Sequence, residues 1–198
     1  MQPLGRSTYH RKALIFKTGQ ITSYVAGDDG AYEVGENHNY EALTTGQYSG
    51  TTSIVLNGKT DAKINVCVMD HASGLMWSRY VSGSVGPTSN GLLPWTTNGS
   101  GEGIFAYVAA ANAAAFAGHT DWRVPNIFEL YAQCDLEPPN GLPNATAFPG
   151  QWLNVASSTS LANSASTNYL YVAFGTGTIA NAAKTSTTSC VLVRGPLL

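Results

Sequence analysis

Residues 118–130, GHTDWRVPNIFEL, close one helix and open another in a single short stretch, and this narrows the folds open to the chain more than any other feature. Upstream, GIFAYVAAANAAAFAG sets Ile104, Val108, Ala111, Ala115 and Phe116 at helical spacing in an alanine-rich run, with Gly118 where a helix-ending C′ residue is expected. Downstream, Asn126 and Glu129 have the spacing of a capping box, in which the Asn side chain accepts from an early backbone N–H and the Glu reaches back to the cap. Ile127, Leu130 and Tyr131 supply the apolar face of this second helix, and Pro138-Pro139 is expected to end it. The link between the helices is either a reactive centre or a structural corner. Trp122 reads as core, since so large an aromatic gains most from burial. Arg123 is placed to make a charge-assisted bond to Asp121, Glu129 or a carbonyl. His119 beside Asp121 resembles an acid/base pair, but a solvent-facing histidine near a helix C-terminus is the commoner arrangement. The corner reading is therefore preferred.

The remainder is rich in strand and turn signals. Two β-rich runs in TTSIVLNGKTDAKINVCVMD flank Asn57-Gly58, a dipeptide suited to a type I′ turn, so a hairpin is expected there. GLMWSRY continues as a short strand. VSGSVGPTSNGLLPWTTNGSGEG is longer than the structureless loops that compact domains usually carry, which makes it a candidate binding loop. In NYLYVAF, Tyr169, Tyr171 and Ala173 alternate with Leu170, Val172 and Phe174, GTG turns the chain, and SCVLVRG closes it. Residues 1–50 show no helical period and many turns; they are read as an extended β-rich arm ahead of a domain at 51–198.

Composition excludes several functions. Charged residues are 11% of the chain and the net charge is −2, so no basic field faces a phosphate backbone and nucleic-acid binding is disfavoured. The first twenty residues hold an apolar run only from Ala13 to Phe16, too short for a secretory core or a membrane span; cytoplasmic residence or release by lysis is expected, with a partner subunit ordering the arm. No phosphate-binding, dinucleotide, zinc-protease, redox or serine-hydrolase motif is present. His10, His38, His71 and His119 are scattered, and no carboxylate follows Glu137, so no metal or other cofactor is expected. GDDG at 27–30 reads as a turn, because adjacent side chains on extended backbone diverge. Cys67, Cys134 and Cys190 lack metal spacing and are expected to be free thiols; a Cys67–Cys190 bridge requires their strands to be neighbours.

DHASGLMWSR (70–79), AAAFAGHTDWRVPNIFEL (113–130), AFPGQWLNVASSTS (147–160), YLYVAFGTG (169–177) and CVLVRG (190–195) occur in an order that resembles the family named for the C-terminal domain of the Legionella collagen-like adhesin. KTGQITSYVAGDDGAY (17–32) is similar to the lead-in that often precedes that domain. The resemblance implies an α+β, C-type-lectin-like fold: two helices flank small antiparallel sheets, and the chain ends meet in one sheet. It implies binding rather than catalysis, with structural roles for Gly74, Trp77, Asp121, Trp122, Arg123, Pro125 and Glu129. Ala156 departs from the pattern, which usually has an aromatic there. EPPN at 137–140 invites comparison with the Glu-Pro-Asn of calcium lectins, but the extra proline and the missing later carboxylates argue against it. A formylglycine-generating type of enzyme is set aside, because the thiol pair and histidine constellation of such a site are absent.

The functional expectation is a bacteriophage virion protein without catalysis: a lectin-like adhesin or receptor-binding domain in a tail fibre, baseplate or head decoration. Its arm would join other virion subunits, and the chain would be homo-oligomeric without inserting in a membrane. A bacterial cell-surface or secreted adhesin, binding glycan or protein, is the alternative. Contact with a host-surface glycan or protein is expected on the long loop, with Trp95 as aromatic anchor and Asn98 beside it.

Overall fold

A computed structural model describes residues 15–43, 50, 52–62, 67–79, 91–96, 101–137, 141, 143–149 and 152–195. The GDDG turn caps a single helical turn, α1 (Asp29–Tyr32), whose N-cap Asp28 accepts from the amides of Tyr24, Val25 and Ala31. Residues 15–38 lie against the body of the molecule: the Leu136 amide donates to Thr18 O, and the Glu137 carboxylate accepts from the amides of Ile21 and Thr22 and from the Thr22 hydroxyl. β1 (Tyr40–Leu43) then joins a sheet. A division at residue 50 would leave β1 on the arm side and its strand partner on the other.

Asn57-Gly58 does form the expected hairpin. Both residues take positive φ (51° and 75°), so β2 (Ser53–Leu56) and β3 (Lys59–Ala62) pair with Leu56 opposite Lys59 across a two-residue turn. Ile54 and Leu56 are buried and Val55 is exposed, the period expected of a sheet with one covered face. β4 (Cys67–Asp70) and β5 (Leu75–Ser78) follow, joined by a turn in which Gly74 takes φ 72°. β6 (Leu93–Pro94) is brief.

α2 (Ile104–Ala113) buries Ile104, Tyr107 and Ala111 and packs on β2. Its end differs from expectation. Ala115, not Gly118, holds the left-handed C′ position at φ 48°; the Ala115 amide donates to Asn112 O and the Phe116 amide to Ala111 O, the bond pair of a Schellman motif. Tyr107 is buried and Val108 half-buried in the same apolar cluster, while Ala115 lies beyond the helix end and is half-buried. α3 (Ile127–Tyr131) has the full capping box. It stops at Ala132, before the proline pair, which lies outside the described residues; the amides of Gln133 and Cys134 turn back to Leu130 O and Tyr131 O instead.

β7 (Asn154–Ser160), β8 (Asn168–Ala173) and β9 (Thr178–Ala183) make an antiparallel sheet in that order. β10 (Thr187–Thr188) pairs with β6, and β11 (Val193–Arg194) pairs with β5. The largest sheet runs β1-β4-β5-β11, so the first and last strands of the described chain are its two edges. Two apolar clusters fill the interior. One gathers Ile54, Ile104, Phe116, Trp122, Tyr169 and Leu192; the other centres on Trp77, Phe148, Trp152 and Phe174, with Ile127 and Leu130 from α3. Cys67, Cys134 and Cys190 are buried thiols, none of them in a disulfide, and burial pushes each up to about 12. The fold is mixed α+β, with short helices and several small antiparallel sheets.

Candidate functional site

The elbow between α2 and α3 is braced from three directions. Asn112, on α2, donates to Trp122 O and accepts from the Trp122 amide, and the buried indole N–H donates to Phe116 O at 2.8 Å. Arg123 meets Glu129 with two bonds of 2.7 Å and reaches Gly195 O with a third contact. Asp121 is not its partner: Asp121 Oδ1 accepts from Arg194 Nε at 2.7 Å. That bond holds the Asp121 carboxyl below the usual carboxylate range against the opposing effect of burial. His119 is half-buried beside Trp122; burial, then the nearby Arg194 charge, lower its affinity for a proton. An acid already bonded to a guanidinium and an imidazole shifted toward neutrality form a poor proton-transfer pair.

The elbow is also stitched to the chain end. Arg123 and Val193 exchange both backbone hydrogen bonds at 2.9 Å, and Val193 pairs with Trp77 on β5. Ser158 donates from its amide and hydroxyl to the carbonyl of buried Pro125, while Thr159 Oγ1 accepts from the Ile127 amide at the start of α3. Asp121, Trp122, Arg123, Pro125 and Glu129 therefore form one cluster, joined through β11 to Trp77 and more distantly to Gly74.

Trp95, within the long loop, is half-buried. Its indole N–H donates to Ser157 O, Phe105 meets its ring edge-to-face at 4.7 Å, and Lys184 Nζ lies 3.9 Å from the ring centroid. Phe105 keeps an exposed face. Asn98 and most of the loop lie outside the described residues.

Residues 66–194 match the family model of the Lcl C-terminal domain. The chain belongs to this family. No curated protein matches it. In the Lcl C-terminal domain formed here, the DWR and VRG segments bond to each other and SSTS bonds to Pro125 and the start of α3, which gives these residues a bracing role: Arg194 answers Asp121, Gly195 O answers Arg123, and Thr159 answers the Ile127 amide.

One cluster straddles the beginning of the matched region. His38 lies in a stack between Phe16 and Tyr40, with ring centroids 4.0 and 5.0 Å away. Its Nδ1 is 2.8 Å from Asp70 Oδ2 and its Nε2 is 2.8 Å from Ala132 O, so both nitrogens face acceptors. Asp70 is fully buried at the end of β4 and also accepts from the Ser73 hydroxyl and the amides of Asn39 and Ala72. Burial raises its pKa, but the bonds from His38, Ser73 and Asn39 outweigh this and bring it down to about 2. Beside it lies a cleft of about 340 Å³ lined by Lys17, Asp29, Glu33, Glu36, Tyr40 and Asp135, among others. Sequence reasoning missed this pairing, because His38 and Asp70 are joined only when β1 docks on β4. Among the described residues no group of three or more His, Cys, Asp or Glu is placed to hold a metal. None of their helices is long and apolar enough to cross a membrane.

Proposed function

We propose that this chain is a non-catalytic, C-type-lectin-like binding domain displayed on a bacteriophage virion, where it contacts a host-surface glycan or protein through its long loop. The observation that carries the binding reading is the braced elbow: the residues that look reactive are spent on Arg194, Glu129 and backbone carbonyls, and the three thiols are buried. The lectin-like assignment is supported by the family match and by the presence of β1 and β11 as the two edges of one sheet. A chain poor in charge and rich in Ser, Thr, Asn and Gly supports display outside a cell.

Recognition is assigned to the long loop that carries Trp95 and Asn98 and to Phe105, whose half-exposed ring meets Trp95 edge-to-face while Lys184 lies over the Trp95 ring, an apolar platform with a cation nearby. Such a platform suits the apolar face of a sugar ring or an aromatic side chain. The full chain should bind an array of bacterial surface glycans without added calcium, and Phe105→Ala and Asn98→Ala should each weaken that binding while leaving the melting temperature in place. Undiminished binding by both variants would remove the loop from the proposal. Mass spectrometry of purified particles should find the chain; recovery from cell envelopes alone would refute the virion assignment.

A further inference from the structure

We propose that the groove between residues 15–38 and α3 is the dock for the basic start of a neighbouring copy of this chain. The inference rests on the assembly role given to the N-terminal segment and is independent of what the outer loop binds.

Two adjoining concavities share Lys17, Thr18 and Cys134. The first is the acid-lined cleft of about 340 Å³ beside His38. It carries Asp29, Glu33, Glu36 and Asp135 against Lys17, whose ammonium is already 3.3 Å from Glu33. The second, of about 320 Å³, is apolar and lined by Ile15, Phe16, Phe128, Tyr131 and Leu136. At its lips Ile15 is 71% and Phe128 79% exposed. Ile21, Tyr24, Val25, Tyr32 and Val34 extend the exposed apolar surface along the same segment. The backbone of this segment is pinned by Leu136 and Glu137, so the surface is held in place. Single exposed apolar residues are ordinary, whereas a run of them beside a groove marks an interface.

Charge complementarity selects the occupant. Of the chain's ten Lys and Arg residues, Arg6, Arg11 and Lys12 fall in residues 1–14, which hold no Asp or Glu but also carry Leu4, Tyr9 and Leu14. Such a stretch brings cations to the acidic cleft and side chains to the apolar groove. Extended, Arg6 to Lys12 spans about 20 Å, enough to run from one concavity into the next. Fourteen residues cannot also cover the flank from Ile21 to Val34, but a second copy bringing its own flank can.

The test uses the full chain in sedimentation velocity at low and high salt. The unaltered chain should self-associate at micromolar concentration, and more weakly in high salt. Reversing the arm (Arg6→Glu, Arg11→Glu, Lys12→Glu) or the cleft (Glu36→Lys, Asp135→Lys) should weaken association at least tenfold, and mixing the two variants should restore it. Phe128→Ser, which leaves the charge alone, should weaken it too. A labelled peptide of residues 1–14 should bind the arm-reversed chain and not the cleft-reversed one. Melting curves verify that each variant is folded. A monomeric unaltered chain, failure of the mixture to re-associate, or peptide binding indifferent to the cleft charges would overturn the proposal.

Discussion

Asp70 is a carboxylate that stays ionised with no exposed surface, because four donors converge on it from His38, Asn39, Ala72 and Ser73. Its pKa of about 2 in the fold lies below the ordinary value of 3.8, so its contribution is complete above pH about 4 and is lost as pH falls from there through 2. A shift of that size corresponds to about 2 kcal/mol. Urea denaturation at pH 7, 4 and 2.5 should show this loss, and Asp70→Asn should flatten the acid limb. The same variant should cost about 3 kcal/mol at pH 7, the order expected when one partner of a buried pair is removed. An acid limb equally steep in Asp70→Asn would assign the loss to other groups. Asp121 provides the contrast: its bond to Arg194 is partly open to water, so Asp121→Asn should cost about 1 kcal/mol or less.

Helix ends show where local chemistry suffices and where it does not. The capping box of α3 needs only Asn126, Glu129 and the amides between them, so it could be read from spacing alone. Asn126→Ala should lower stability by about 1 kcal/mol in thermal or urea melts. The end of α2 could not be read this way. Gly118 offers the usual local signal, yet long-range partners fix the helix end earlier: Asn112 holds the Trp122 backbone and Phe116 O receives the Trp122 indole. Ala115 is thereby left at φ 48°, a conformation that disfavours a Cβ. Ala115→Gly should therefore stabilise the protein by about 1 kcal/mol, the reverse of the usual effect of glycine near a helix. A destabilised variant would show that the left-handed position costs alanine little here. The Asn57-Gly58 hairpin was legible for the same reason as the capping box, since its turn is set by two adjacent residues.

At the level of the whole molecule, β11 connects what the sequence separates. The recurrent segments were legible as a family pattern, but neither composition nor periodicity indicates that VRG bonds to DWR, or that residues 40–43 complete the sheet at its far edge. Those pairings join positions about seventy and thirty residues apart, and only closure of the fold selects them. Val191, Leu192 and Val193 are fully buried, Leu192 exchanges hydrogen bonds with Ser78, and Val193 links Trp77 to Arg123. Burial of three such side chains contributes roughly 5–9 kcal/mol, and typical domains are stable by only about 5–15 kcal/mol. Removing β11 would also leave Asp121 without Arg194 and one elbow guanidinium contact unmade. A chain ended at residue 190 should therefore show no cooperative transition by circular dichroism, whereas Arg194→Ala in the full chain should melt cooperatively with a modest loss. If the shortened chain kept a sharp transition, the elbow would have to be held by α2 and α3 alone, and the scaffold role given to the recurrent C-terminal segment would fail.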